Sequence, residues 1–127
     1  MRKVYYNFFY WIFKRVTRQN YNNDFDGAFG AFCCLCFIIE AHYVLIIALI
    51  RWFGYGLPSP NSSIVFFVIN ILFNYFMIFY KKNYLIIKDF FKNETQDEHK
   101  KHARWCTLYC ISVLVVLLLL GYFIPTN

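Results

Sequence analysis

Three long apolar stretches, separated by charged and turn-forming segments, dominate the pattern of this chain. They cover residues 28–52, 64–80 and 106–124, and each comes close to the length of about 17–25 residues that a transmembrane helix needs. Three such stretches in so short a chain leave no polar outer layer, which disfavours a soluble helical hairpin. The pattern predicts an all-α membrane protein with three transmembrane helices in a single domain, 1–127.

Segment 1–19 has a two-sided pattern that predicts an amphipathic helix. Its polar side holds Lys3, Asn7, Lys14 and Arg18, and its apolar side holds Tyr5, Phe8, Phe9, Ile12, Phe13 and Val16. Such a helix lies in the membrane interface, with its rings in the acyl boundary and its cations at the headgroups. Packing against the other helices is an alternative that is compatible with this placement. The polar stretch 20–27 predicts a break and a helix N-cap before the first span.

Composition supports a membrane protein. Hydrophobic residues make up 60% of the chain, against about 45–50% in soluble domains, and a small soluble domain has no room to bury 16 Phe and 11 Tyr. The net charge of +6 would suit nucleic acid in a soluble protein, but here the basic residues flank the apolar stretches. We therefore expect a bilayer with anionic headgroups as the partner, and no nucleic acid.

The basic residues also predict the orientation. All but Arg51 of the 13 Lys and Arg residues lie before the first span or between the second and third, so those segments are cytoplasmic by the positive-inside rule. The N-terminus is then inside, the C-terminus is outside, and 54–63 is an external loop. The residues predicted to contact lipid headgroups or a partner are Lys3, Lys14, Arg15, Arg18, Lys81, Lys82, Lys88 and Lys92.

The connection 81–105 is predicted to be a basic, helical, cytoplasmic hairpin. Tyr84, Ile87 and Phe91 keep helical spacing, which favours continuation of the second span as a helix beyond the membrane. Segment 93–98 predicts a turn, and a second short helix over 97–105 leads into the third span. This hairpin is too small to be a catalytic or nucleotide-binding domain, but it offers a surface for a cytoplasmic protein partner.

Polar residues inside the first two spans predict an intramembrane polar seam. Glu40 and Asn74 both lie roughly 15 Å from the outer ends of their spans, and Asn70 shares a helix face with Asn74. We expect Glu40 to contact Asn74, with Asn70 beyond it. An intramembrane carboxyl group indicates a proton, ion or pore-lining site, or a polar contact between protomers. The alternative is that these groups are hydrogen-bonded connections between helices.

His42 and a set of small residues bear on how the helices associate. His42 follows Glu40 by two positions and points to the opposite side of the helix, which indicates a second protomer or a wet cavity and favours a homo-oligomer. The alternative is a bond from His42 to a backbone or hydroxyl group. Gly27, Gly30 and Ala31 allow another helix to approach closely at the start of the first span.

Catalytic and metal-binding chemistry is not expected. The five cysteines are predicted to be reduced thiols on the cytoplasmic side. His99, His102 and Cys106 share a helix face and would suit a metal, but His99 with Lys100 and Lys101 is more typical of a solvated basic face. No phosphate-binding glycine loop and no convergent acid, base and nucleophile occur in the sequence. We expect no enzyme activity, no metal and no cofactor.

The layout resembles a group of small bacterial three-span membrane proteins of unassigned function. The resemblance is carried by Tyr5-Tyr6-Asn7-Phe8-Phe9-Tyr10, by Ile38-Ile39-Glu40, by Asn74-Tyr75-Phe76, and by the lysine-rich helix from Lys81-Lys82-Asn83-Tyr84 to Lys92. It implies a place in the bacterial inner, or cytoplasmic, membrane and implies no activity. In size, the chain is analogous to the membrane-disrupting effectors of bacterial antiviral defence systems.

Two functions are consistent with these predictions. The first is a small oligomeric membrane protein of the membrane-perturbing or pore type, an effector controlled through its cytoplasmic loop. The second is a non-catalytic accessory, anchoring or immunity subunit of a larger membrane complex. A small transporter is disfavoured, because the sequence has no inverted repeat.

Overall fold

Five α-helices account for most of the computed structural model, which describes residues 2–18 and 23–123. They are α1 (Arg2–Arg18), α2 (Asp24–Trp52), α3 (Pro60–Ile78), α4 (Asn83–Phe90) and α5 (Gln96–Phe123). A 3-10 turn, Tyr80–Lys82, joins α3 to α4, and these two ranges contain no strand. α2, α3 and α5 are long and apolar enough to cross a membrane. The predicted all-α class with three candidate spans is confirmed.

Side-chain caps explain where the long helices begin. Asn23 accepts a hydrogen bond from the Phe25 amide, 3.1 Å away, so α2 starts ahead of the predicted 28. Ser59 caps α3 and Pro60 occupies its first turn, so this helix starts inside the predicted external loop 54–63. Thr95 and Glu98 bond to each other's backbone amides, and this capping box starts α5. The predicted short helix 97–105 and third span are one continuous helix, although residue 124 lies outside the described ranges.

The second span does not continue into the basic connection as a helix, which corrects the prediction. Lys81 and Lys82 have φ angles of 52° and 57°, and this left-handed backbone ends the helical path after α3. The Asn83 side chain donates to the Met77 carbonyl at 3.1 Å and satisfies a free group at the end of α3. The break turns α4 back, so that Ile87 and Phe91 become buried. The helical spacing of these residues reflects the packing of α4 against the buried cluster formed by α1, α2 and α3.

The core lies where α1 packs along the first half of α2. Phe9, Ile12 and Phe13 of α1 are buried there with Ala28, Ala31 and Leu35 of α2. α1 runs antiparallel to α2, because its late residues Thr17 and Val16 meet Gly27 and Gly30 while its early residue Tyr5 reaches Asn74 of α3. α1 therefore follows the spans toward their middle.

Most of the apolar surface of the three long helices remains uncovered. Of the residues in the most apolar stretch of each helix, only 6% in α2, 17% in α3 and 6% in α5 are fully buried, and many large apolar side chains of these helices are exposed. A continuous apolar surface of this extent is rarely exposed on a soluble monomer. It fits helices that face hydrocarbon or other copies of the chain.

Candidate functional site

A chain of hydrogen bonds connects three helices in the middle of the bundle, and we call it the polar seam: Tyr5, Asn74, Asn70 and Glu40. The Tyr5 hydroxyl donates to Asn74 Oδ1 at 2.7 Å. Asn74 Nδ2 donates to Asn70 Oδ1 at 2.7 Å, and Asn70 Nδ2 donates to Glu40 Oε1 at 3.3 Å. This series of donors and acceptors runs from Tyr5 to the carboxyl group of Glu40, where it ends.

The two asparagines are the buried centre of the polar seam. Asn70 and Asn74 expose only 3% and 0% of their surface, and their spacing of four places both side chains on one face of α3. Asn70 Nδ2 also donates to the Cys36 carbonyl at 3.0 Å, and Asn74 Nδ2 to the Asn70 carbonyl at 2.9 Å. Unpaired amides are unfavourable in an apolar interior, and these bonds satisfy both side chains. The bond from Asn70 to Cys36 joins α3 to α2, whereas the bond from Asn74 to the Asn70 carbonyl lies within α3.

The contact of Glu40 differs from the predicted one. Asn70, rather than Asn74, lies opposite Glu40. α3 runs antiparallel to α2 with Phe79 against Phe25 and Phe32, and this register brings Asn70 level with Glu40. Asn74 then lies nearer the start of α2, where it meets α1.

Tyr5 is the member of the polar seam that sequence reasoning missed. Its position on the apolar side of α1 indicated burial, and its hydroxyl group was the signal that a buried polar partner is needed. Burial raises the pKa of Tyr5 above its ordinary value, so the hydroxyl keeps its proton and remains a donor. Its ring also packs edge-on against Phe73, with centroids 5.8 Å apart.

His42 faces away from Glu40 toward α5 and finds its partners within the same chain. Its Nδ1 lies 2.6 Å from the Ile38 carbonyl, and its Nε2 contacts the Tyr109 hydroxyl. Because a carbonyl oxygen only accepts, Nδ1 is the donor to Ile38, and in a neutral imidazole Nε2 would accept from Tyr109. These contacts match the alternative in which His42 bonds to a backbone group and a hydroxyl group. Its ring nitrogens therefore need neither a second protomer nor a wet cavity as a partner. Phe8 of α1 packs edge-on against Tyr109.

Two imidazoles hold the carboxyl group of Glu94 where the basic connection turns into α5. Glu94 exposes 7% of its side chain and lies 3.2 Å from His99 Nδ1 and 2.5 Å from His102 Nδ1. Burial and the charge of Glu94 raise the pKa of the adjacent Tyr10. Cys106 does not join the two histidines, and no group of three potential ligands able to hold a metal occurs within 2–18 and 23–123.

The predicted headgroup-contact residues fall into several environments. Lys3, Arg15, Lys81, Lys82 and Lys92 are exposed, and Lys14 is half-buried. Lys88 bonds to Asp24 at 2.8 Å, which ties α4 to the start of α2 as a surface ion pair. The side chain of Arg18 lies outside what the structure describes.

The small residues of α2 and the thiols have structural surroundings. Gly27, Gly30 and Ala31 lie on the α2 face that packs against α1. A Cβ atom on Gly30 would come within 2.8 Å of Val16 Cγ1, and one on Gly27 would overlap the methyl group of Thr17. All five cysteines are free thiols.

Comparison with protein-family models, with curated proteins and with solved structures finds no match to this chain.

Proposed function

We propose that this protein is a non-enzymatic membrane protein that assembles into homo-oligomers and perturbs the bilayer, in the manner of a pore. The observation that supports the proposal is the position and partial exposure of Glu40. It lies in the middle of α2, remains partly exposed, and has the neutral amide of Asn70 as its side-chain partner. A carboxyl group at this depth is unfavourable against lipid, and such groups face a bundle interior or a wet cavity.

A second copy of the chain would supply that interior. The polar seam directs its donors toward Glu40 from within the chain, so the side of Glu40 that remains exposed is available to another protomer. The apolar surface of α2 and α3 around it is uncovered and suits helix packing in a membrane. Assembly around Glu40 would place a ring of carboxyl groups inside the oligomer, which is a feature of cation-conducting pores.

The proposal includes a location and an orientation. We place the protein in the bacterial cytoplasmic membrane with its N-terminal segment on the inner side. Lys14 and Arg15, which lie beside Lys100 and Arg104, and the cations of the connection to α5 belong at the inner leaflet under the positive-inside rule. The exposed basic surface of 81–105 is then the only sizeable cytoplasmic region between spans, and a partner or signal that acts on it would control the assembly.

Membrane potential measurements test the proposal. Expression of the wild-type chain should depolarise cells, and purified protein should release ions from vesicles. Glu40→Ala should abolish both effects, because it removes the carboxyl group, while Glu40→Gln separates loss of charge from loss of a hydrogen-bonding group. Asp97→Ala is the matched control, since Asp97 is exposed in the first turn of α5. Depolarisation by Glu40→Ala equal to wild type would contradict the proposal.

The mass of the detergent-extracted protein provides an independent test. A pore requires several copies in one complex, and Glu40→Ala should lower the number of copies. A complex with a different, stoichiometric protein, combined with vesicles that stay sealed, would instead identify an accessory or anchoring subunit.

A further inference from the structure

A strongly basic groove lies between α1 and α5, away from the polar seam. It has a volume of about 600 Å³, and its walls include Lys14 and Arg15 from α1 and Lys100 and Arg104 from α5. These cations come from opposite parts of the sequence. They meet because α1 folds back along the bundle and packs against α5 as well as α2.

The four cations of the groove form no ion pair within 2–18 and 23–123. The nearest acidic residue on α5 is Asp97, which lines the adjoining surface with Lys100 and Arg104. Lys14 Nζ lies 5.8 Å from the centre of the Tyr10 ring, and Arg15 Cζ lies 5.5 Å from that of Trp11, so aromatic faces rather than carboxylates lie beside these two cations. Four like charges in one groove repel each other, and a bound anion would relieve the repulsion.

Apolar surface continues from the groove along α5. Leu108 lines the groove, and Ile111, Val115 and Leu118 follow it at helical spacing as exposed side chains. A ligand with both an anionic group and a hydrocarbon chain would match this order of charge and apolar surface. A free phosphate would use the cations alone, and an acidic peptide has no hydrocarbon chain to cover α5.

We propose that this groove binds the phosphate headgroup of an anionic phospholipid and that an acyl chain of the lipid lies along α5 from Leu108 onward. Arg15 and Arg104 carry guanidinium groups that pair with phosphate oxygens through two donors, and Lys14 and Lys100 add point charges. The indole ring of Trp11 lines the groove and suits the boundary between headgroup and acyl region. The site is independent of whether the protein conducts ions.

Lipid titration of the full-length protein in a neutral detergent tests the site. The probe is phosphatidylglycerol with brominated acyl chains, which quenches nearby tryptophan, and phosphatidylcholine of the same chains is the reference. Phosphatidylglycerol should quench Trp11 and Trp105 at lower concentration than phosphatidylcholine. Lys100→Gln with Arg104→Gln should weaken phosphatidylglycerol binding about tenfold or more, because each cation near an anionic headgroup adds to the binding free energy and the variant removes two of them.

Matched charge changes separate this groove from general attraction. Lys81→Gln with Lys82→Gln removes the same charge from exposed positions outside the groove and should weaken quenching by phosphatidylglycerol much less than the groove variant does. Lys100→Arg with Arg104→Lys keeps the charge at the two positions of the neutral variant and should bind phosphatidylglycerol more tightly than that variant, which separates loss of charge from a folding defect. Equal weakening in the control and groove variants would overturn the proposal, and so would displacement of the lipid by inorganic phosphate or by an acidic peptide.

Discussion

At the residue scale, the two asparagines of α3 contribute most to the centre of the molecule. Asn74 has no exposed surface, yet its side chain both accepts from Tyr5 and donates to Asn70. A buried amide in an apolar setting is stabilising only while its partners remain. The polar seam therefore connects α1, α2 and α3 through two asparagines whose side chains are buried and keep their bonds to one another and to neighbouring helices.

Removal of the Tyr5 hydroxyl tests this connection. Tyr5→Phe keeps the ring but leaves Asn74 Oδ1 without its donor, and we expect the free energy of unfolding to fall by about 1 kcal/mol. Tyr6→Phe is the control, because the Tyr6 hydroxyl bonds to Arg2 at the surface. The measurement is the thermal unfolding midpoint in detergent. Equal midpoints for the two variants would show that the seam does not stabilise the fold.

At the scale of elements, the close approach of α1 to α2 depends on the absence of side chains on α2. A Cβ atom added to Gly30 would have Val16 Cγ1 as its nearest neighbour, at 2.8 Å. A larger residue would force the helices apart, because a packed interface leaves little room for relaxation. This contact holds the N-terminal helix along the spans.

A pair of substitutions at this contact measures the packing. Gly30→Ala should lower the free energy of unfolding by about 1–3 kcal/mol and make α1 more sensitive to protease. Val16→Ala removes the clashing methyl groups, so the double variant should be less destabilised than the sum of the single variants. Gly121→Ala is the control, since a Cβ there meets no atom within 4 Å. Strictly additive effects of Gly30→Ala and Val16→Ala would contradict the contact.

The break between α3 and α4 is a second feature of element scale. Lys81 and Lys82 adopt positive φ angles that are unfavourable for a residue with a Cβ atom. The turn persists because Asn83 bonds to Met77 and Ile87 is buried beyond it. The sharp reversal keeps α4 against the bundle.

Glycine should relieve the unfavourable backbone at this break. Lys82→Gly is expected to raise the free energy of unfolding by about 0.5–1 kcal/mol, because glycine adopts positive φ without a steric penalty. Lys101→Gly makes the same chemical change inside α5 and should lower it by about 1 kcal/mol. Chemical denaturation in detergent compares the two variants. If Lys82→Gly destabilised the protein as much as Lys101→Gly, residue 82 would not have a left-handed backbone conformation.

At the scale of the whole molecule, charge and apolar surface are separated along the bundle. The lysines of the connection between α3 and α5 lie at the end where α2 begins, as the Lys88–Asp24 pair shows, and the apolar faces of α2, α3 and α5 extend away from it. This distribution is the basis of the proposed orientation, because moving many cations across a bilayer is unfavourable.

Cysteine labelling tests the orientation. In a background with the native thiols replaced, single cysteines at Ser59 and at Lys92 should behave oppositely. A membrane-impermeant reagent should label position 59 in intact cells and position 92 only after the membrane is opened. Labelling of position 92 in intact cells would reverse the proposed orientation.

The sequence by itself determined the helical class and the three candidate spans. Both follow from local properties: the length of each apolar stretch, and the lack of enough polar residues to cover it. The cap of α2 is also local, because Asn23, in the predicted capping stretch, accepts a hydrogen bond from the amide of Phe25, two residues later. Such features depend on residues close in sequence, so a pattern along the chain is sufficient to predict them.

Only the tertiary structure decided which distant residues meet. The pairing of Glu40 with Asn70 depends on the register of α3 against α2, and a shift of one helical turn would have chosen Asn74. The role of Tyr5, the reversal at Lys81 and the basic groove depend on α1 and α4 folding back onto the bundle. These contacts arise from packing between segments far apart in the chain, and helical periodicity carries no information about register.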